Sequence, residues 1–292
     1  MKNRAIEQQY QELEDAYQKY RCIIHDQKHM LSFIQECIEN RDLNGIAVYV
    51  ADNQKKFRDE EKKFWTGINV LDKTITMKKS EQQGFDSFAT AYYDIPSRKH
   101  LLEIWDNLYM LGNAGTHVVF HELTHVLDDE LFVRGDKIKY LSNHGFTEYH
   151  ASQIEMMKLL GAVTISQGIT FSMGDTIDTV SGRKNILEYV MAPHALATEL
   201  IDRADFPVDF ETLKCTLGVI FNYYGRRSIC KMYANDYREE VDNATIEKLI
   251  TPTVVTFLNG YMTGWLNQAS IDALGDLYGR MIVSLATKFH LH

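Results

Sequence analysis

The chain has 292 residues, of which 45% are hydrophobic and 24% charged, and its formal net charge at pH 7 is −9. A chain with this length and apolar content can bury one large core or two modest ones, which excludes an extended disordered protein. The negative charge argues against a nucleic-acid-binding surface, and no apolar run reaches the ~18 residues of a membrane span. Because the first residues are polar and do not form a signal peptide, we expect a cytoplasmic protein with no nucleic-acid or membrane partner.

The first predicted element is a long amphipathic helix. Residues 5–40 contain neither Gly nor Pro, and apolar residues recur there at spacings of three, four or seven. Residues 40–42 (Asn-Arg-Asp) suit a tight reversal, and a second helix is predicted over about residues 43–64. A two-helix hairpin cannot bury its apolar stripe alone. We therefore expect it to dock on the rest of the chain or, as the favoured outcome, to form a homodimer through a four-helix bundle.

Two segments of this region carry a family resemblance. Residues 21–31 read RCIIHDQKHML and residues 66–72 read TGINVLD. They resemble the phosphoacceptor box and the closing segment of the dimerisation hairpin in peptide-pheromone receptor histidine kinases, over about residues 10–79. The resemblance implies that His25 is a phosphoacceptor, with Asp26 as its acid/base neighbour, and that the hairpin meets a signalling partner. The nucleotide-binding motifs of those kinases are not found downstream, and an inherited residue on a dimerisation helix is the alternative interpretation of His25.

A pair of short strands is predicted next. Residues 87–93 are rich in residues that favour strands, Pro96 and Ser97 mark a turn, and residues 101–104 provide a partner. We therefore expect a small β-sheet before the next helix.

The stretch His121-Glu122-Leu123-Thr124-His125 lies in an apolar segment with helical spacing, for which Gly115 and Thr116 offer a start. Residues four apart share a face of a helix, so the two imidazoles can bind one ion while Glu122 stands beside it. Zinc lowers the pKa of a coordinated water, and a neighbouring glutamate can take its proton as the water attacks a carbonyl. The motif therefore predicts amide hydrolysis.

A chance match is the alternative explanation of this motif. With 11 histidines in the chain, the five-residue pattern arises by chance in roughly a few per cent of chains of this length. Two histidines and a glutamate are costly to bury inside an apolar helix, and a bound metal would be a partner for all three. This favours the metal site.

A second motif supplies a third ligand. Glu148-x-x-Ala151 follows His125 by about two dozen residues on another predicted helix. Together with the first motif, over about residues 91–160, it resembles the glutamate-type zinc peptidases and the related cytosolic repressor-cleaving metallopeptidases. The resemblance implies that His121, His125 and Glu148 bind Zn²⁺, that Glu122 is the general base, and that a peptide or protein substrate lies along an edge strand.

Other roles remain open around this motif. Glu148 can also be read as an exposed glutamate favoured at a helix start. Four further residues compete as the third ligand: His144, His150, Asp129 and Asp178. His144, Tyr149 or His150 could stabilise the oxyanion of the tetrahedral intermediate, and Asp128 or Glu155 could orient a ligand imidazole.

Residues 162–292 are predicted to be mainly helical and carry no second catalytic motif. Pro193 is expected near a helix start, Asp209 before a helix that ends at Gly225, and Thr251 with Pro252 at the opening of another. Arg226 and Arg227 are interpreted as solvated residues of a loop, with an anionic partner as the alternative.

These patterns predict a mainly α protein with an N-terminal antiparallel helical hairpin (residues 1–80) and a zincin-like, mostly helical domain with a small β-sheet (residues 81–292). Within the second domain, residues 81–160 would hold the metal and residues 161–292 would form a helical subdomain. The predicted function is a zinc-dependent peptidase that acts on a cytosolic regulatory protein. A histidine-phosphotransfer or dimeric scaffold protein with a structural or relic metal site is the alternative, and phosphorylation that gates the cleft is a third hypothesis.

Overall fold

The computed structural model describes residues 68–70, 73–80, 88–105, 108, 111–162, 167–238 and 241–291. The predicted N-terminal helices, with His25, lie outside the described residues. Within them the protein is mainly helical and has a small β part, which confirms this much of the predicted fold class. No helix in these ranges has the length and apolar content that crossing a bilayer would require.

The main sheet lies against the metal-motif helix. Its strands are β1 (Ile68–Val70), β2 (Lys73–Ser80), β3 (Ala89–Asp94) and β4 (Lys99–Trp105), in the order β1-β2-β4-β3. Strands β3 and β4 are antiparallel, with Ala91 opposite Leu102, which confirms the predicted strand pair. Strand β2 runs parallel to β4, so the sheet spans the predicted domain boundary at residue 80. Among the described strands, β3 is the outermost on the side of the helix.

The described helices follow the sheet in chain order. They are α1 (Thr116–Asp128), α2 (Lys137–Ser142), α3 (His144–Leu159), α4 (Ile186–Ile201), α5 (Phe210–Tyr233), α6 (Pro252–Tyr261) and α7 (Gln268–Lys288). A single π-helical turn, Asp129–Val133, extends α1. An antiparallel hairpin of β5 (Thr176–Thr179) and β6 (Gly182–Asn185) precedes α4.

Helix starts follow the predicted capping chemistry in two places. The Asp209 side chain accepts a hydrogen bond from the Thr212 N–H at the start of α5. The Thr251 hydroxyl oxygen accepts one from the Val254 N–H at the start of α6, where Pro252 occupies the first turn. Both side chains partner backbone N–H groups that a helix start leaves without an internal acceptor.

Two predicted boundaries are wrong. Helix α5 continues through Gly225 to Tyr233, because this glycine serves a close helix crossing and not a helix end. A Cβ at Gly225 would lie 2.3 Å from the Tyr149 carbonyl oxygen on α3. Pro193 lies inside α4, whose start is set earlier by a capping box between Asn185 and Glu188.

Helix α3 occupies the centre of the helical part and packs against both α1 and α5. Its buried residues run almost without interruption from Gly145 to Met157. On the side of α5, α6 and α7, a large apolar core surrounds Phe146, Phe221 and Tyr278. A helix buried on several sides brings its polar residues into contact with neighbouring helices, and this arrangement faces Glu148 of α3 towards α1.

Candidate metal centre

Three side chains from two helices converge at the contact between α1 and α3. His121 and His125 lie one turn apart on α1, and Glu148 lies on α3. The Glu148 Oε2 atom is 3.7 Å from His121 Nε2 and 3.9 Å from His125 Nε2, and one donor atom from each residue lies within 4.8 Å of the other two. Zinc ligands at about 2.0–2.1 Å in a tetrahedron are roughly 3.3 Å apart, so small side-chain shifts would suffice to bind one ion.

A charged cluster holds His121. Its Nδ1 atom is 3.2 Å from Glu155 Oε2, which also lies 3.3 Å from Arg226 Nη2. The Tyr189 hydroxyl donates a 2.6 Å hydrogen bond to Glu155 Oε1. With a carboxylate on Nδ1, the Nε2 atom of His121 turns towards Glu148, as a metal ligand requires.

A neutral bridge holds His125. Its Nδ1 atom is 2.9 Å from the Thr147 hydroxyl, and that hydroxyl donates to Asp128 Oδ2 at 3.0 Å. Because a hydroxyl has a single hydrogen, Thr147 must accept from the Nδ1–H of His125. This assigns the tautomer of His125 and leaves its Nε2 lone pair free towards Glu148. Asp128 is held in turn by His150, whose Nδ1 lies 3.0 Å from Oδ1.

The two histidines have opposite pKa shifts in the metal-free protein. Burial disfavours the charged form of both, but Glu148 and Glu155 outweigh it at His121 and raise its pKa to about 10. At His125 burial dominates over the attraction of Glu148 and lowers the pKa to about 3. Burial opposes ionisation of Glu148 and Glu155 as well. Nearby histidines, together with Arg226 for Glu155, overcome it and hold the pKa of each carboxyl well below its usual range.

Glu122 stands beside the triad and faces the sheet. Its Oε2 atom accepts a 2.7 Å hydrogen bond from the Ala91 N–H of β3. Burial raises the pKa of Glu122 to about 7, although His121 and the Ala91 N–H act in the opposite direction. A carboxyl with a pKa close to neutral can both accept and release a proton at physiological pH.

Of the three residues predicted to stabilise an oxyanion, His144 alone lines the cleft among the described residues. It lies one turn before Glu148, with Nδ1 3.9 Å from Glu148 Oε1 and Nε2 3.3 Å from the Lys214 carbonyl oxygen. Tyr149 is completely buried in the core beside α5. His150 stacks on Phe146 and bonds Asp128, so it supports the site from behind.

The competing ligands Asp129 and Asp178 are not part of the group that could hold a metal ion. Asp178 lies on β5 at the surface, where it faces Arg183. Asp129 lines the cleft, but burial, reinforced by Asp128 and Glu130, raises its pKa to about 8, which makes it a neutral acid at pH 7. Among the described residues, one group of side chains is placed to hold a metal ion, and it consists of His121, His125 and Glu148.

The triad lies between two cavities. The larger, of about 580 Å³, extends from the triad towards α2 and the start of α5. The smaller, of about 400 Å³, extends towards α4 and the β5–β6 hairpin. Ala89, His121 and Glu122 line both, so the two cavities adjoin each other at the candidate metal centre.

Sequence reasoning missed four residues that position the site: Thr147, Tyr189, Arg226 and Ala91. Thr147 precedes Glu148 directly, and its hydroxyl is the one signal that closer reading of the motif could have used. Arg226 was interpreted as a solvated loop residue, whereas it lies within α5 and its side chain is 13% exposed. Tyr189 and Arg226 are far from the motif in sequence and reach Glu155 through the packing of α4 and α5 against α3.

The chain matches no protein-family model, no curated protein and no solved structure. The two family resemblances therefore rest on their motifs alone. The geometry of the triad and its supporting residues is the independent observation on which a function can be based.

Proposed function

We propose that this protein is a zinc-dependent peptidase in which His121, His125 and Glu148 bind the ion and Glu122 is the general base. One observation carries the proposal: three metal-binding side chains from two helices converge while both imidazoles are held at Nδ1 with Nε2 turned inwards. Ligand histidines in metalloproteins are typically oriented by such a partner on the second ring nitrogen. A chance occurrence of the sequence motif would not require these partners.

The donor set fits zinc. Two imidazole nitrogens and one carboxylate oxygen are typical of catalytic zinc, which keeps a fourth position for water or substrate. The cleft on both sides of the triad leaves room for that position. When bound, zinc would supply a Lewis acid that polarises the substrate carbonyl and acidifies a water molecule.

The chain's own residues then account for the proton transfers. Glu122 takes a proton from the attacking water as the water oxygen bonds to the carbonyl carbon. It delivers this proton to the leaving nitrogen when the carbon–nitrogen bond breaks, so the net reaction adds one water across the peptide bond. We assign to His144, one turn before Glu148 on α3, the stabilisation of the charge that develops on the carbonyl oxygen.

The edge of β3 is the proposed track for the substrate backbone. Alternate residues of β3 pair with β4, and the intervening residues Ala91 and Tyr93 turn their backbone groups away from β4, where the Ala91 N–H donates to Glu122. An extended peptide can add to such an edge as a further strand. The signalling-type hairpin predicted in residues 1–80 makes a cytosolic regulatory protein the proposed physiological substrate.

Metal content and cleavage in matched variants test the proposal. Purified wild-type protein should contain one zinc per chain by elemental analysis and should cleave an unfolded protein such as reduced casein. Glu122→Gln should keep the zinc and lose cleavage by at least about a hundredfold, as expected for a lost general base. His121→Ala should lose both, whereas the control His194→Ala, at a histidine outside the cleft, should keep both.

Two results would overturn the proposal. One is wild-type protein that binds no zinc after reconstitution in chelator-free buffer. The other is Glu122→Gln protein that cleaves at the wild-type rate, since the carboxylate would then have no part in the reaction.

A further inference from the structure

The cavities around the triad limit which peptide bonds of a substrate a peptidase of this shape can cleave. The larger and smaller cavities lie on either side of Glu122 and His121, and both are lined by Ala89 of the edge strand. A peptide laid along β3 can therefore continue in both directions past the reacting bond. An enzyme that removes terminal residues needs a closed end to hold the chain terminus, whereas here cavity space lies on two sides of His121 and Glu122.

The larger cavity has an apolar floor. Its wall away from the triad is formed mainly by Phe132, Val133, Tyr140, Leu141 and Phe210. Two of its charged groups have partners among the described residues: Lys214 pairs with Glu211 at 2.7 Å, and Asp128 bonds Thr147 and His150. A large apolar side chain would displace water from this apolar floor, whereas an acidic side chain would meet Lys214 only where that ammonium already pairs with Glu211.

The smaller cavity differs in its charges. Arg226 lines it but is committed to Glu155, to the Tyr189 carbonyl oxygen and to the face of the Tyr189 ring. Lys184 of β6 also lines this cavity, the residue is partly buried, and its side chain has no hydrogen bond or ion pair with any residue that the structure describes. An ammonium group without a protein partner is available to pair with a carboxylate that enters the cavity.

We propose that the substrate is an internal segment of a polypeptide that seats a large apolar side chain in the larger cavity and an acidic side chain beside Lys184, on the opposite side of the cleaved bond. This inference rests on the proposed peptidase function and specifies its substrate class. The apolar floor and Lys184 belong to different cavities that meet at His121 and Glu122, so the preferred sequence carries both features, separated by the reacting bond.

Internally quenched peptides test the inference. The zinc-loaded wild-type enzyme is given peptides with blocked ends that contain one Phe on one side of a central bond and Glu, Gln or Lys at successive positions on the other side. We expect cleavage at the central bond, with Glu preferred over Gln by about tenfold at one position and Lys the poorest. The same peptides with free ends should be cleaved at the same bond and at a similar rate.

Charge changes at Lys184 identify its role. Lys184→Gln should make the Glu and Gln peptides equal, and Lys184→Glu should reverse the order so that the Lys peptide is preferred. Arg183→Glu is the matched control, because this neighbour projects from the other face of β6, is exposed, and faces Asp178. It should keep the wild-type order. Zinc content and circular dichroism establish that each variant is folded and loaded.

The possible results distinguish failure of this inference from failure of the proposed function. Release of terminal residues from free-ended peptides, with blocked peptides intact, would overturn the inference and keep the peptidase. The same holds if wild-type enzyme cleaves Glu and Gln peptides equally, or if Lys184→Glu keeps the wild-type preference. If zinc-loaded wild-type protein cleaves none of these peptides and no casein, the proposed function itself fails.

Discussion

The two candidate ligand histidines lie one turn apart on the same helix, yet they are supported in different ways. The His121 ring contacts a buried carboxylate, that of Glu155, which is itself held by Arg226 and Tyr189 from two other helices. The His125 ring is hydrogen-bonded to the hydroxyl of Thr147, the residue before Glu148 on α3. The first support is charged and spans four helices, whereas the second is neutral at its contact with the ring and spans two.

Together with a hydrogen bond from His121 to Glu148, this difference accounts for the raised metal-free pKa of His121 and the lowered pKa of His125. A buried carboxylate stabilises a cationic imidazole, and a hydroxyl that accepts one hydrogen bond compensates little for lost hydration. Two histidines of one motif can therefore differ in hydrogen-bond partner and in protonation state before a metal binds. His121 must release a proton to bind an ion, whereas His125 is already neutral.

The largest effect is expected from removal of the charged support. Glu155→Ala would leave Arg226 buried without its carboxylate and should lower the free energy of unfolding of the metal-free protein by about 3–5 kcal/mol. Urea denaturation measures this change. Glu211→Ala, at an exposed carboxylate paired with Lys214, is the control and should cost less than about 1 kcal/mol. If both variants lose the same free energy of unfolding, the buried cluster around His121 contributes no more to stability than an exposed ion pair does.

The second-largest effect is expected in the pH dependence of zinc affinity, which depends on the protonation state of His121. Because the pKa of His121 is raised to about 10, this ring is cationic throughout the neutral range and one proton must leave when metal binds. The apparent zinc affinity should then rise about tenfold per pH unit, or about a hundredfold between pH 6 and pH 8. Competition with a chelator of known protonation measures it. An affinity that levels off above pH 7 would indicate that His121 has an ordinary pKa.

Loss of the neutral support should have a smaller effect. Thr147→Val keeps the shape of the side chain and removes the hydroxyl between His125 and Asp128, which should weaken zinc binding about 10–100-fold. Thr147→Ser retains the hydroxyl and should bind zinc nearly as tightly as the wild type. If the valine variant binds zinc with wild-type affinity, the bridge does not position His125.

The smallest effect is expected from a shift of the third ligand, Glu148, whose carboxylate lies near both histidines. A Cβ at Gly218 of α5 would lie 3.3 Å from Glu148 Cδ and Oε1, so Gly218→Ala should push this carboxylate by a few tenths of an ångström and lower zinc affinity about threefold. Gly260→Ala has open space around the new methyl group and serves as the control. It should stabilise α6 by up to about 1 kcal/mol and leave zinc affinity unchanged.

Local patterns predicted the elements around the site well. The apolar spacing around His121 predicts α1, the residues around Glu148 predict α3, and the strand pair before them forms β3 and β4 as expected. Gly225 was misread because a glycine that ends a helix and a glycine that admits a neighbouring helix look the same in one sequence. The Tyr149 carbonyl, which decides between them, lies on another helix.

The sequence by itself determined the donor set and the helix that carries the two histidines, because four-residue spacing and side-chain chemistry are local properties. Only the tertiary structure decided which residues support those donors and what surrounds them. Glu155 meets Arg226 and Tyr189, and Lys184 reaches the cleft, because α4, α5 and the β5–β6 hairpin pack around α3. These contacts join residues that are distant in the chain, and burial of the apolar faces of the helices, not any local pattern, brings them together.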